Sequence, residues 1–238
     1  MGVAFAIVAV VAGAWILMSR APLPDGRLHV ALVGASIGQE WHVADWPARA
    51  HMPGVTAESL AVWQFDKTDA VDELLMRPKR RFRLTRTYLK SLFAPPPRRA
   101  DVVILKECSS YFPGNSEAQR AAFQGWEEKL SAAGAKVVLA TVVPVTSKRS
   151  TLDAGKQEAL TAFNAWVREF AARKNLAVLD LDAAVRSGAP GSSLKDEYTS
   201  GDGSHLNQAA YAVLDRTLHD TLCRMQADAS CAVVAGNL

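Results

Sequence analysis

Three residue types with the right neighbours to do chemistry sit at opposite ends of this sequence. Ser36 lies in Val33-Gly34-Ala35-Ser36-Ile37-Gly38, directly after an apolar run. Asp202 and His205 lie in Gly201-Asp202-Gly203-Ser204-His205-Leu206-Asn207. A serine hydroxyl is a poor nucleophile until a base takes its proton. Imidazole suits that role near neutral pH, provided that it is held in one tautomer. Asp202 precedes His205 by three residues. One turn of chain can therefore set its carboxylate against Nδ1 and leave Nε2 for Ser36. The chemistry such a set performs is acyl transfer, with Ser36 as nucleophile, His205 as base and Asp202 as orienter.

The elements between must bring these ends together. Leu28–Val33 is a short apolar run rich in β-branched residues, and reads as a buried parallel strand that stops at Gly34. Gly34 and Gly38 flank the serine as a tight strand-to-helix turn requires. Further strands are expected over 59–65, 101–106, 136–143 and 176–181. Helices are expected over about 69–76, 117–133 and 153–174, the last capped by Asn175, with a final helix opening at Asn207. Residues 39–54 read as irregular or helical, and Trp41 and Trp46 there suit either core or a pocket wall. Strands alternating with helices imply one α/β domain, a parallel five-stranded sheet with helices on both faces. Sites in such sheets form at the carboxyl ends of the strands. Ser36 falls there, as do Asp66, Lys67 and Glu107 after the second and third strands. These three either bind a polar or charged substrate or pair with one another or with the basic section below.

Composition narrows the field. With 238 residues, 49% hydrophobic and a net charge of +3, the chain can bury a large core, and its charge is too small to imply nucleic acid. There is no zinc-type Cys/His spacing, so no metal is expected. Val3–Met18 is an uninterrupted apolar run, slightly short for a bilayer span and lacking the charged start of a secretory signal. It reads as an uncleaved transmembrane anchor, or else as a signal helix. Residues 1–20 are thus an anchor or signal segment, 21–27 a linker, 28–222 the folded domain and 223–238 a tail. Between Glu73 and Asp101 there are nine cations and no acidic residue. That section can form a basic amphipathic helix, suited to lipid or an anionic polymer, or simply a solvated face. Cys223 and Cys231 are close enough in sequence to pair, and Cys108 ends a core strand.

The Gly-x-Ser-x-Gly pattern suggests an α/β-hydrolase elbow, but order and spacing oppose it. The serine follows the first strand, and the acid is three residues before the histidine. The arrangement resembles the SGNH (GDSL-type) hydrolase family instead, over about residues 28–222. The family's first block is Gly-Asp-Ser and an apolar residue, here Gly34-Ala35-Ser36-Ile37. Its last block, Asp-x-x-His, is Asp202-Gly203-Ser204-His205. The resemblance implies a three-layer α/β/α, flavodoxin-like sheet and a catalytic set of Ser36, His205 and Asp202. The middle blocks depart from the family pattern. Aligning Cys108 with the family glycine puts Ser110 where the family has asparagine, so the resemblance offers the Ser36 backbone N–H and Ser110 as oxyanion donors, with Asn115 later in the loop as an alternative to Ser110.

The expected activity is cleavage of an acyl ester, on a small molecule or on cell-envelope carbohydrate or lipid, through an acyl-enzyme on Ser36 and without metal or organic cofactor. Two alternatives stand beside it. One is a polysaccharide O-acetyltransferase with the same triad, and the other a non-catalytic domain that binds glycan or lipid. The expected location is membrane-anchored and extracytoplasmic, in the periplasm, or secreted after signal cleavage. Arg20 and Arg27 pull weakly the other way by the positive-inside rule. Nothing in the sequence sets an oligomeric state.

Overall fold

A computed structural model describes residues 28–75, 100–152 and 155–226. The expected anchor, the linker, the basic section over 77–99 and Cys231 lie outside the described residues. Among the described residues no helix is long and apolar enough to cross a membrane.

Five parallel strands form one sheet in the order β2-β1-β3-β4-β5. They are β1 (Leu28–Gly34), β2 (Val55–Ala61), β3 (Val102–Lys106), β4 (Lys136–Ala140) and β5 (Ala177–Leu179). Alternate residues of each central strand point to opposite faces. Val30, Leu32, Val102, Ile104, Val138 and Ala140 enter one core. Ala31, Val33, Val103, Leu105, Val137 and Leu139 enter the other. With apolar contacts on both faces, these strands read as continuous hydrophobic runs. Each fully buried Val, Leu or Ile contributes roughly 1.5–3 kcal/mol.

On the first face lie α1 (Ser36–Glu40), α2 (Trp46–Arg49), α7 (Leu181–Val185) and α8 (Gln208–Gln226). On the second lie α3 (Thr68–Leu74), α4 (Ser116–Ala132) and α6 (Lys156–Lys174). A further short helix, α5 (Ser147–Leu152), follows β4. The layering is therefore the three-layer α/β/α arrangement with flavodoxin-like strand order.

Two expectations need correction, besides the fourth and fifth strands, which end at Ala140 and Leu179 instead of 143 and 181. The second strand runs over Val55–Ala61, not 59–65. It is an edge strand, so only one side is paired and its register need not follow the most apolar stretch. Its polar residues make the fit: Thr56 and Glu58 hydrogen-bond the His29 ring, each at 3.0 Å. The apolar residues beyond it belong to a loop. Second, the helix expected over 153–174 begins at Lys156, because Gly155 has φ +77°. Asn175 caps its end in the left-handed region, as expected, with φ 54°. Trp41 and Trp46 are core residues. Cys223 is disulfide-bonded, whereas Cys108 is a free and buried thiol.

One contact set ties the start of the domain to its end. The Asp215 carboxylate on α8 accepts from Arg49 Nε at 2.7 Å, Arg49 Nη2 at 2.9 Å and Trp41 Nε1 at 2.7 Å. Its main-chain carbonyl accepts from Trp46 Nε1 at 3.1 Å. The segment after Ser36 and the helix after His205 are thereby fixed to each other.

Candidate active site

In the order 2-1-3-4-5, neighbouring connections leave β1 and β3 on opposite faces, and the crevice between their carboxyl ends is where ligands bind. Ser36 starts α1 immediately after β1. The turn Ser109–Tyr111 follows β3. Both border a cavity of about 250 Å³, whose wall also includes Ile37, Trp63, Arg149, Lys156, Ser204 and His205. The fold therefore brings Ser36 and His205 to one cavity from opposite ends of the chain.

His205 is held by local geometry. Ser200 N–H donates to the His205 carbonyl at 2.9 Å and Asn207 N–H to the Tyr198 carbonyl at 3.0 Å. The loop is thus closed like a hairpin, with Thr199 bridged to Leu206. Asn207 Oδ1 then accepts from Ala210 N–H at 3.1 Å and starts α8. Gly203 has φ +83°, and a Cβ there would stand 2.7 Å from Thr146 Oγ1. Its carbonyl accepts from Thr146 N–H at 3.0 Å, which fastens the loop to the segment between β4 and α5.

Within this loop the Asp202 carboxylate is fully employed. Oδ1 accepts the backbone N–H groups of Ser204 and His205, each at 2.8 Å. Oδ2 pairs with His205 Nδ1. Partial burial pushes the Asp202 carboxyl up, but the His205 and Ser204 amides and the His205 ring outweigh it and hold it at about 2. An ionised acceptor at Nδ1 requires the proton to sit there, which leaves Nε2 as the basic atom. A second carboxylate, Glu40 Oε1, stands 4.0 Å from Nε2. Its other oxygen accepts from Tyr211 Oη at 3.1 Å. Burial and then the Glu40 charge raise the Tyr211 phenol, so it remains a donor.

The opposing turn is held from beneath. Lys67 Nζ donates to Glu107 Oε1 at 2.6 Å, with both side chains completely buried. Phe65, Tyr111 and Trp126 surround the ammonium, with ring centroids 5.4 to 5.8 Å away. Burial pushes Lys67 down and Glu107 up, and their mutual attraction opposes both shifts. Glu107 Oε2 accepts the Cys108 N–H at 3.3 Å. Lys106, also buried, donates to the Glu107 carbonyl at 2.9 Å. The Ser110 hydroxyl donates to Cys108 Sγ at 3.1 Å and lies on the cavity wall. Burial, with Cys108 and Glu107 nearby, pushes the Tyr111 phenol up to about 12.

Of the residues singled out in the sequence, Ser36, His205 and Ser110 border the cavity, and Asp202 supports His205. Lys67 and Glu107 do not meet substrate; they are an internal pair beneath the turn. Asp66 is exposed and away from the cavity wall, and its Oδ1 accepts from Thr68 N–H at 2.9 Å at the start of α3. Sequence reasoning missed Trp63, Arg149, Lys156 and Glu40. Only Glu40 carried a usable signal, being four residues after Ser36 and so one helical turn away.

The structure is an α/β sheet with Ser36 and the Asp202–His205 pair brought to one cavity at its topological switch point. The sequence pattern of the GDSL-like lipase/acylhydrolase family matches residues 79–213, more than half of the chain, and the chain belongs to that family. The matched region includes Asp202 and His205 and begins after Ser36. No curated protein matches significantly. Solved structures do. A candidate acylhydrolase of Bacteroides fragilis has a TM-score of 0.62 at 16% identity, covering 88% of this chain and 94% of its own. A GDSL-like lipase of Bacteroides thetaiotaomicron has 0.58 at 16% identity, covering 90% and 97%. An acetyl xylan esterase has 0.56 at 15% identity, covering 81% and 98%. At these identities the likeness is one of fold.

Proposed function

We propose that this chain is a serine acylhydrolase that cleaves an acyl ester through an acyl-enzyme on Ser36. The observation that carries the reading is the Asp202-bound imidazole of His205 bordering the same small cavity as Ser36. Membership of an acylhydrolase family supports it.

In this reading the reaction runs in two halves. An ester enters the cavity with its carbonyl carbon at Ser36 Oγ. Nε2 of His205 takes the hydroxyl proton as Oγ attacks, and Asp202 stabilises the resulting imidazolium without being protonated itself. The carbonyl oxygen becomes an oxyanion. Its donors in this reading are the Ser36 backbone N–H, which the first turn of α1 leaves without an intrahelical partner, and the Ser110 hydroxyl turned away from Cys108 Sγ. Collapse of the tetrahedral adduct expels the alcohol, which takes the proton from Nε2. Water then repeats the sequence and releases the acid. No step calls for a metal or organic cofactor.

The apolar run Val3–Met18 would hold the domain at a membrane surface, on the extracytoplasmic side. Cell fractionation with protease protection of the full chain tests that placement. For the chemistry, the full chain is treated with a fluorophosphonate probe beside Ser36→Ala and His205→Ala. Covalent labelling of Ser36 that requires His205, with hydrolysis of a short acyl ester, is expected. An intact protein that neither labels nor hydrolyses such esters would overturn the reading.

A further inference from the structure

Trp63 is 66% exposed, the large hydrophobic side chain left open to solvent among the described residues. It is also at the cavity that holds Ser36 and His205. An isolated exposed apolar residue needs no explanation, but one at the mouth of a catalytic cavity does. Nor is Trp63 on a loose loop. The preceding Val62 N–H donates to the Gly34 carbonyl at 2.6 Å, next to Ser36. Two residues on, Phe65 packs edge-on to Tyr111 with centroids 6.2 Å apart and against Trp126 at 5.9 Å. The backbone is pinned on both sides, so the indole is presented in advance and its exposure is not the by-product of disorder.

The rest of the wall restricts what can lie against it. Ile37 and Tyr111 extend the apolar side, while Ser109, Ser110, Ser204, Arg149 and Lys156 supply polar atoms. At about 250 Å³ the cavity is below the roughly 300–1,000 Å³ of sites that enclose a drug-sized ligand. A long alkyl chain would outgrow it. Arg149 also borders a neighbouring cavity of about 380 Å³, whose lining includes the hydroxyl-bearing Thr146 and Thr199 and the carboxylates Asp196 and Asp202. That space suits hydroxyl groups. A ligand with an apolar face, a hydroxyl-bearing edge and a short acyl group meets all of these demands, and a sugar ring has those two surfaces.

We propose that Trp63 is a stacking platform for a sugar ring and that the site takes short-chain acyl esters of carbohydrate. The proposal rests on the acylhydrolase reading for its ester but not for its sugar. In the full chain, kcat/KM is compared between acetylated xylo-oligosaccharides, monoacetylated methyl glucosides, ethyl acetate and ethyl decanoate. The sugar acetates are expected to exceed ethyl acetate by at least about tenfold. Trp63→Ala should reduce that ratio about tenfold through KM, the scale of one aromatic stacking contact with its buried area, and Trp63→Tyr should restore most of it. A second arm needs no turnover: calorimetric titration of Ser36→Ala with acetylated xylo-oligosaccharides, with and without Trp63→Ala. Binding that disappears with the indole supports the platform, even if the wild type hydrolyses nothing, in which case only the hydrolase reading falls. An unchanged substrate ratio in Trp63→Ala, or a preference for ethyl decanoate over every sugar acetate, would overturn the proposal and leave the hydrolase reading intact.

Discussion

The two loops that face each other across the cavity are built on opposite principles. The Asp202–His205 loop is about half exposed and is held by hydrogen bonds within a few residues of sequence. The Cys108–Tyr111 turn rests on a Lys67–Glu107 pair that is sealed from water and joins residues 40 apart. The first loop is a local device for orienting a ring. The second depends on the whole second core for its position. Exposed charge pairs contribute little, whereas a buried ion loses several kcal/mol of hydration and tolerates no loss of its partner. Chemical failure should therefore come from one loop and structural failure from the other.

The strongest way to break this contrast is at the reaction itself. Ser36→Ala or His205→Ala should lower kcat by about 10⁴-fold or more with the fold intact, as seen by ester assay and circular dichroism. Next comes the buried pair. Glu107→Ala leaves the Lys67 ammonium unpaired and should destabilise the protein by about 3–5 kcal/mol in urea titration. The double change Lys67→Met with Glu107→Leu should recover most of that stability while leaving activity impaired, if the pair serves to seat the turn. Ser110→Ala separates seating from chemistry: as an oxyanion donor it should cost about 10²-fold in kcat, up to 10³-fold, with little change in stability. Gly203→Ala forces a Cβ against Thr146 Oγ1 at positive φ and should cost roughly 1–3 kcal/mol.

The smallest effect concerns pH. The folded Asp202 carboxyl titrates at about 2 against an ordinary value of 3.8. Its contribution to stability is thus complete above the ordinary value and fades as pH falls towards 2. For a half-exposed group this is under about 1 kcal/mol. The stability gap between wild type and Asp202→Asn should hold constant from pH 7 to about 5 and close near pH 2.

The same contrast explains what was legible in the sequence. Val30–Val33, Val102–Leu105 and Val137–Ala140 are buried on both faces, and such runs announce themselves. The edge strand did not, because Thr56 and Glu58 fit through hydrogen bonds to His29 instead of apolar contact. The Asp-x-x-His loop was readable because all its partners are neighbours in sequence. Lys67 and Glu107 were placed at the correct sheet edge, but charge suggests solvent and nothing local shows that each will neutralise the other inside. Trp63 was hidden by the misplaced strand, since an aromatic in a strand reads as core. Lys156 starts α6, inside the helix expected over 153–174, whereas Arg149 comes from α5, a helix the sequence did not suggest.

The Asp215 junction has a consequence for the life of the chain before it is finished. Trp41 and Asp215 are separated by 174 residues. Synthesis proceeds from the N-terminus, so Ser36 leaves the ribosome long before the helix that locks its surroundings. Contacts of such sequence separation form late and slow the final step of folding. A nascent chain that ends before Asp215 lacks the clamp that fixes α1 and α2. A chain released before that helix is made would therefore carry Ser36 on a segment with nothing from α8 to hold it in place.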